Sequence, residues 1–225
     1  MVTLLWTFFI LLFSLSVLNA QKFEAARRSY SSAVGVILDG GASIIPGGEG
    51  STPLPDPLAA IAAMELEQLQ RMGEAFEREL AGAGLGDRVA IEMQERGLVI
   101  RFADTVLFDL GSADLRPEAE QVLLRVGNML RDIENPIRVE GHTDNWPIRT
   151  EKYPSNWELS GGRAGTVVRF LIERCGLKAE QLQVAGYAEF KPIDTNDTPE
   201  GRQRNRRVDI VILRPSLAGG EPPVQ

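Results

Sequence analysis

The sequence contains one cysteine, Cys175, and one histidine, His142, among its 225 residues. A single cysteine excludes an internal disulfide framework and any metal cluster that needs several thiolates. A single histidine leaves too few imidazole ligands for an ordinary zinc site, so we expect no metal and no cofactor. Cys175 lies in the apolar run VVRFLIERCGL, where we expect a buried and inert thiol.

The sequence also lacks an excess of basic residues. It has 24 Lys and Arg against 31 Asp and Glu, a formal net charge of -7. Because a broad nucleic-acid-binding surface would be basic, we expect no nucleic-acid partner. With 44% hydrophobic residues, the chain can build one packed domain with additional segments, and is too short for two large domains.

No charged residue occurs in the first eighteen positions, MVTLLWTFFILLFSLSVL. A helix of this length reaches roughly 27 Å, close to the ~30 Å thickness of the bilayer hydrocarbon. A signal peptide would begin with basic residues and place small residues before its cleavage site, and Leu18 does not fit that pattern. We therefore predict a transmembrane helix over residues 1–20. Basic residues follow it, so the positive-inside rule alone would place the C-terminal side in the cytoplasm.

The rest of the chain divides by composition into further segments. Residues 21–38 are mildly amphipathic and could form a short helix at the membrane surface or a solvated juxtamembrane stretch. Residues 39–57 are rich in Gly, Pro and Ser, which is typical of a linker. Apolar residues at every third or fourth position predict a helix over 58–82. The Gly- and Pro-rich residues 215–225 are expected to form a disordered tail.

Residues 88–214 alternate between strand and helix patterns. VAIEM and GLVIRF are predicted strands joined by a tight turn, and PIRVEGH, LQVAGYA and RRVDIVIL are three more. Pro117 is expected to begin one helix, and Ser155 with Glu158 matches a capping box for another that ends at Gly176. We therefore predict an α/β (α+β) domain with helices packed on a mixed β-sheet.

The loop that follows the strand PIRVEGH concentrates polar and aromatic residues in the stretch GHTDNWPIRTEKYPSNWELSGGRA. His142 and Asp144 are two residues apart and would share a face of an extended backbone, so they could form an acid–base pair. No nucleophile in an elbow motif and no second histidine accompany them. Catalysis is therefore the weaker interpretation of this pair.

Asp144 and Arg163 suggest binding instead. Arg163 lies on the second turn of the capped helix, where free N–H groups and a guanidinium would hold a carboxylate. Asp144 would hold an ammonium group, so the two residues together would complement a zwitterionic amino acid. The spacing is equally consistent with a surface ion pair that only pins the loop, worth about 0–1 kcal/mol.

The motifs GHTDN, LS..RA and NRRVDIVI occur in an order that closely resembles the C-terminal peptidoglycan-binding domain of the OmpA family, over roughly residues 88–213. The resemblance implies that Asp144 and Arg163 hold the diaminopimelate of the peptidoglycan stem peptide. It also implies that Asn156 and Leu159 shape the pocket and that Arg206 lies close to it. Trp146 and Trp157 are not part of the general pattern of the family. They could contact glycan or peptide, or pack against the loop.

The N-terminal run resembles the transmembrane helix of the MotB-type flagellar stator family, with the pattern LL.TFF.LL.S.S. This resemblance implies a single-pass protein of the cell inner membrane with its C-terminal domain in the periplasm. It also implies a MotA-type membrane partner, a homodimer, and a plug segment over residues 21–38. The complex would be an ion-driven, torque-generating channel anchored to peptidoglycan, and the chain would not be an enzyme.

One departure from that family concerns an essential aspartate, which stands just before the stretch that corresponds to MVTLL. A carboxylate inside the membrane is costly and is kept for function, yet residues 1–18 contain none. The expectation is that further residues precede Met1. The alternative is a non-motor tether that links the membrane to the cell wall without ion coupling.

Overall fold

The structure is a computed structural model, and it describes residues 57–86 and 88–217. The predicted transmembrane helix, the plug segment and nearly all of the linker lie outside these residues. Within the described part of the chain, no helix combines the length and the apolar character needed to cross a bilayer.

Five strands form one mixed sheet in the spatial order β1-β2-β5-β3-β4. The strands are β1 (Val89–Gln94), β2 (Gly97–Ala103), β3 (Ile137–His142), β4 (Leu182–Gly186) and β5 (Arg207–Leu213). β3 and β4 are parallel, and the other neighbouring pairs are antiparallel. The predicted mixed sheet is confirmed. β4, however, is an edge strand that leaves Gln183 and Val184 exposed, so our prediction of a third core strand there is wrong.

The helices begin and end where local sequence signals occur. They are α1 (Pro57–Gly82), α2 (Asp104–Leu107), α3 (Pro117–Leu130), α4 (Asn156–Cys175) and α5 (Pro199–Asn205). Pro117 occupies the first turn of α3, Ser155 caps α4 by accepting from the backbone N–H of Trp157, and Gly176 ends α4 with a φ of 73°. α2 and α5 were not predicted. Pro215–Leu217, at the start of the expected tail, form a short 3₁₀ turn.

The core lies on one face of the sheet, where α1, α3 and α4 pack. It joins apolar side chains of these helices with alternate residues of the strands, including Leu69, Phe76, Ile100, Phe102, Val126, Val139, Val167, Leu171 and Ile210. Cys175 is buried in the same core, as expected for an inert thiol, and its burial raises its pKa. The packing of α4 on β3 fixes the start of α4 beside the end of β3.

Gly141 of β3 permits the close approach of α4. A Cβ atom at this position would lie 2.0 Å from the backbone carbonyl oxygen of Ser160. We expect Gly141→Ala to lower the free energy of unfolding by about 3 kcal/mol, because strand and helix would have to separate. The matched control is Gly165→Ala, also in α4, where nothing lies within 4 Å of the added methyl group. The control should raise stability by about 0.5–1 kcal/mol. Urea unfolding of both variants checks this, and equal stability would contradict it.

The opposite face of the sheet carries a network of buried ion pairs. Arg96 donates to both carboxylate oxygens of Glu140, at 2.7 and 2.9 Å. Arg101 and Arg207 each donate to Asp209 at 3.1 Å. Glu140 and Asp209 are cross-strand neighbours, so two like charges lie side by side and require these cations. The network therefore favours one register of β2, β5 and β3.

Candidate ligand-binding cavity

A cavity of about 520 Å³ opens where β3 ends, between the loop that follows it, the start of α4, and α5. It is lined by Leu110, Gly111, Thr143, Asp144, Trp146, Pro147, Ile148, Asn156, Leu159, Arg163, Pro199, Arg202, Gln203 and Arg206. All five side chains that the sequence suggested as a binding site (Asp144, Asn156, Leu159, Arg163 and Arg206) are in this set. The structure therefore brings the five together around one space.

Asp144 is held by two hydrogen bonds that orient its carboxylate. Oδ1 accepts from the backbone N–H of Trp146 at 3.2 Å, which closes a tight turn just after β3. Oδ2 accepts from Nη1 of Arg206 at 2.7 Å, a short charge-assisted bond. Asp144 is thus paired with Arg206 and not with Arg163.

Arg163 projects from α4 and is 1% exposed. Its Nε donates to the carbonyl of Ser112 at 2.8 Å, and Nη2 donates to the carbonyl of Asp109 at 3.4 Å. Nη1 donates to Asp104 at 3.3 Å, and the guanidinium lies 5.3 Å from the ring centroid of Phe108. Burial lowers the pKa of Arg163. The interpretation of Arg163 as half of a surface ion pair with Asp144 is therefore wrong.

Asp104, the first residue of α2, was missed by the sequence analysis. It is 2% exposed, and its Oδ2 lies 3.3 Å from Arg163 Nη1 and 3.4 Å from Arg206 Nε. Among the described residues, Oδ1 has no hydrogen-bond partner. Burial raises the pKa of Asp104, and the two arginines oppose that rise. Its position at the end of the predicted strand GLVIRF was the one available signal, because strand ends often place polar residues at a site.

The resulting charge pattern alternates across the cavity. Asp144, Arg206, Asp104 and Arg163 form a chain of opposite charges in that order, and the four formal charges cancel. Such a site resists a ligand with one net charge and accepts one whose two opposite charges replace contacts already present.

Asn156 and Leu159 shape the cavity from the first turn of α4. The Asn156 side-chain amide donates to the carbonyl of Trp146 at 3.1 Å, and its oxygen accepts from the backbone N–H of Ile148 at 3.4 Å. Leu159 packs with Ala113 and is 5% exposed. Asn156 therefore holds the loop after β3 in place, and Leu159 supplies an apolar wall.

His142 lies outside the cavity. Its side chain is on the sheet face opposite the helices, where Nε2 is 3.7 Å from Glu140 Oε2 and 4.0 Å from Asp209 Oδ2. The ring stacks on Tyr187 at 5.3 Å, and burial lowers its pKa. His142 and Asp144 are therefore not assembled as an acid–base pair.

Ligand atoms of Glu140, His142 and Asp209 lie within 4.8 Å of one another, a spacing that a metal ion could use. Both carboxylates are already bound by arginines of the same sheet face. A divalent cation here would meet three guanidinium groups, so the three side chains fit an ion-pair network and not a metal centre.

Two parts of the sequence match known families. Residues 107–206 match the OmpA family, and residues 1–34 match the family described as membrane MotB of the proton-channel complex MotA/MotB. The first match covers the cavity and most of the sheet. The second covers the N-terminal apolar run and lies outside the described residues.

Individual proteins extend these matches over nearly the whole chain. The uncharacterized protein YtxE of Bacillus subtilis (strain 168) is 35% identical over 214 residues, which cover 95% of this chain and 85% of that protein. Motility protein B of the same organism is 30% identical over 231 residues, covering 94% of this chain and 86% of that protein. The cell wall anchor of the T6SS from Pseudomonas aeruginosa shares the fold, with a TM-score of 0.57 and 38% identity over 61% of this chain and 96% of that chain.

Fold, cavity and family matches define a protein with a C-terminal OmpA-like domain and an N-terminal segment like that of membrane MotB. The chain belongs to the motility protein B family. It is accordingly a flagellar stator subunit and not an enzyme.

Proposed function

We propose that this stator subunit anchors an ion-driven, torque-generating complex of the inner membrane to peptidoglycan through the cavity described above. The ligand would be the zwitterionic end of the diaminopimelate in the stem peptide. The observation that supports this proposal is the alternation of Asp144, Arg206, Asp104 and Arg163 around one space. A free amino-acid head carries one ammonium and one carboxylate, which complements this arrangement without a net change of charge.

Binding would proceed by an exchange of ion pairs. The ammonium group of the ligand would take the place of Arg206 on Asp144, and Arg206 would turn to the carboxylate of the ligand. Asp104 would hold Arg206 near the site throughout, since it already lies 3.4 Å from Arg206 Nε. Arg163 makes three hydrogen bonds and so retains two of its five N–H groups for the same carboxylate.

The membrane portion follows from the N-terminal match. We propose a transmembrane helix over residues 1–20, a plug segment over 21–38 and a linker over 39–57 that lets the OmpA-like domain reach the wall. We further propose a MotA-type membrane partner and a homodimer, with the OmpA-like domain in the periplasm. The match of residues 1–34 to membrane MotB supports the first part of this arrangement.

A genetic experiment tests the stator role directly. The gene is deleted in its own organism and replaced by the wild-type gene or by one that encodes Asp144→Asn. We expect deletion to abolish swimming while flagella remain assembled, the wild-type gene to restore it, and the variant to restore it poorly. Co-purification of the full chain with a MotA-type protein, in detergent, is the matching biochemical measurement.

A second candidate function is a wall tether without a motor role. The similarity to the cell wall anchor of the T6SS favours it, because that protein shares the fold at 38% identity. A tether would leave swimming unchanged on deletion and would co-purify with no MotA-type partner. Both functions need the same cavity, so only these two measurements separate them.

A further inference from the structure

The exposed apolar surface of the domain is concentrated beside the cavity. In the part of the chain that the structure describes, the large exposed hydrophobic residues are Ile61, Met64, Leu110, Trp146, Trp157, Val184, Phe190 and Ile193. Leu110 and Trp146 line the cavity itself, and Trp157 follows Asn156, which also lines it. An exposed apolar patch next to a polar pocket marks a binding surface more often than a packing defect.

Two aromatic rings in this patch form a stacked pair. Trp157, on the first turn of α4, and Phe190, after β4, have ring centroids 5.3 Å apart and an interplanar angle of 21°. Trp157 is nevertheless 51% exposed and Phe190 is 64% exposed. Neither ring is buried by the loop, so packing does not account for them.

Trp146 forms a second exposed aromatic surface at the cavity. It is 68% exposed, and the Arg202 guanidinium lies 5.4 Å from its ring centroid. Asn156 connects the two surfaces, because its amide donates to the carbonyl of Trp146 at 3.1 Å and to Glu189, the neighbour of Phe190, at 3.3 Å. The rings are therefore held at defined positions around the rim, and ordering them on binding costs little entropy.

We propose that Trp157, Phe190 and Trp146 form a second subsite, which binds the N-acetylated sugar rings of a peptidoglycan strand. The proposal rests on the proposed function, because the cavity beside the subsite would hold the stem peptide that is attached to those sugars. Continuity with the cavity identifies the occupant: whatever extends from a ligand seated at Asp144 must cross the rim where these rings lie.

The chemistry of the rings favours sugar over peptide at this rim. A pyranose ring has an apolar face of C–H groups and a rim of hydroxyls, so it can cover an exposed aromatic face while its hydroxyls stay in water. The stem peptide consists mainly of small and carboxylate-bearing residues, which offer no flat apolar face. The cavity charges account for the peptide, and the aromatic rings account for the sugars.

Two ligands separate the subsite from the cavity. One is a disaccharide-tripeptide that carries diaminopimelate, and the other is the same tripeptide without sugars. The affinity of the full chain for each is measured by calorimetry in detergent. We expect the wild-type chain to bind the sugar-bearing ligand about tenfold more tightly. Trp157→Ala should remove that advantage and leave the affinity for the sugar-free tripeptide within about twofold.

Three control variants give the comparison its meaning. Met64→Ala removes an exposed apolar side chain of α1 that does not line the cavity, and should change neither affinity. Trp157→Phe retains an aromatic face and should retain most of the sugar advantage. Asp144→Asn should weaken both ligands by the same factor, because it acts on the shared peptide.

The outcomes distinguish this inference from the proposed function. Equal wild-type affinity for the two ligands, or an equal loss of both in Trp157→Ala, would overturn the sugar subsite and leave peptide binding intact. If the wild-type chain binds neither ligand, the proposed function is wrong and the subsite with it. If Trp157→Ala instead converts a dimer into a monomer, with the sugar advantage unchanged, the patch is a self-association surface and the inference is wrong.

Discussion

Replacing Asp144 with asparagine is expected to weaken binding of the chain to peptidoglycan by about 100-fold, or ~2.7 kcal/mol. The substitution removes the charge that would hold the ligand ammonium. Asparagine still offers a side-chain oxygen to the backbone N–H of Trp146, so the turn after β3 should persist. Arg206 would lose its 2.7 Å partner and keep Asp104 at 3.4 Å. The variant therefore tests binding with little effect on the fold.

The measurement is co-sedimentation of the full chain with purified sacculi, followed by calorimetry with a soluble stem peptide. Asp132→Asn is the matched control, because it removes the same charge from an exposed position that does not line the cavity. It should bind like the wild-type chain. Unchanged affinity in a folded Asp144→Asn variant would place the ligand elsewhere and remove the basis for the proposed function.

Periodicity and capping signals predicted the long elements well. α3 and α4 begin at Pro117 and next to Ser155 because those residues satisfy a local rule at a helix start. α2 and α5 have 4 and 7 residues, too few to show an apolar repeat, and both were missed. Strand alternation placed Arg207 and Asp209 on the polar side of β5 correctly. It did not predict that both are buried, which depends on Arg101 across the sheet.

The site residues were predicted from motif resemblance, and their contacts could not be. Asp104 and Arg163 are 59 positions apart, and Asp144 and Arg206 are 62 apart, so no local spacing reports either pair. The sequence analysis placed Asp144 opposite Arg163 because each is near an element boundary. The structure inserts Arg206 and Asp104 between them, and this chain of charges exists only after β2, β3 and β5 pair.

The largest stability effect is expected for Arg163→Ala, with a loss of about 3–5 kcal/mol in the free energy of unfolding. Three consequences combine. Two backbone carbonyls, of Ser112 and Asp109, lose their donor, and the buried carboxylate of Asp104 loses a partner at 3.3 Å. The side chain also leaves a void beside Phe108. Urea unfolding with fluorescence detection measures the loss, and a change below about 1 kcal/mol would contradict it.

The pH dependence of this loss follows from Asp104. Its pKa is raised by burial and held down by Arg163, so removing Arg163 should raise it further. A carboxyl group with a raised folded-state pKa contributes stability below its unfolded pKa, and that contribution is lost as pH rises through the folded-state value. The deficit of Arg163→Ala relative to the wild-type chain should therefore be largest near pH 7 and smaller near about pH 4.

A double variant, Arg163→Met with Asp104→Asn, separates the structural role of this pair from its role in binding. Methionine refills much of the volume, and neutral asparagine no longer needs a buried cation. Replacing a buried ion pair by neutral groups is often close to neutral for stability, so the double variant should recover most of the loss. It should not recover binding, because the carboxylate of the ligand would then meet only Arg206. Recovery of both stability and wall binding would show that Arg163 supports the fold alone, and would assign recognition of the carboxylate to Arg206.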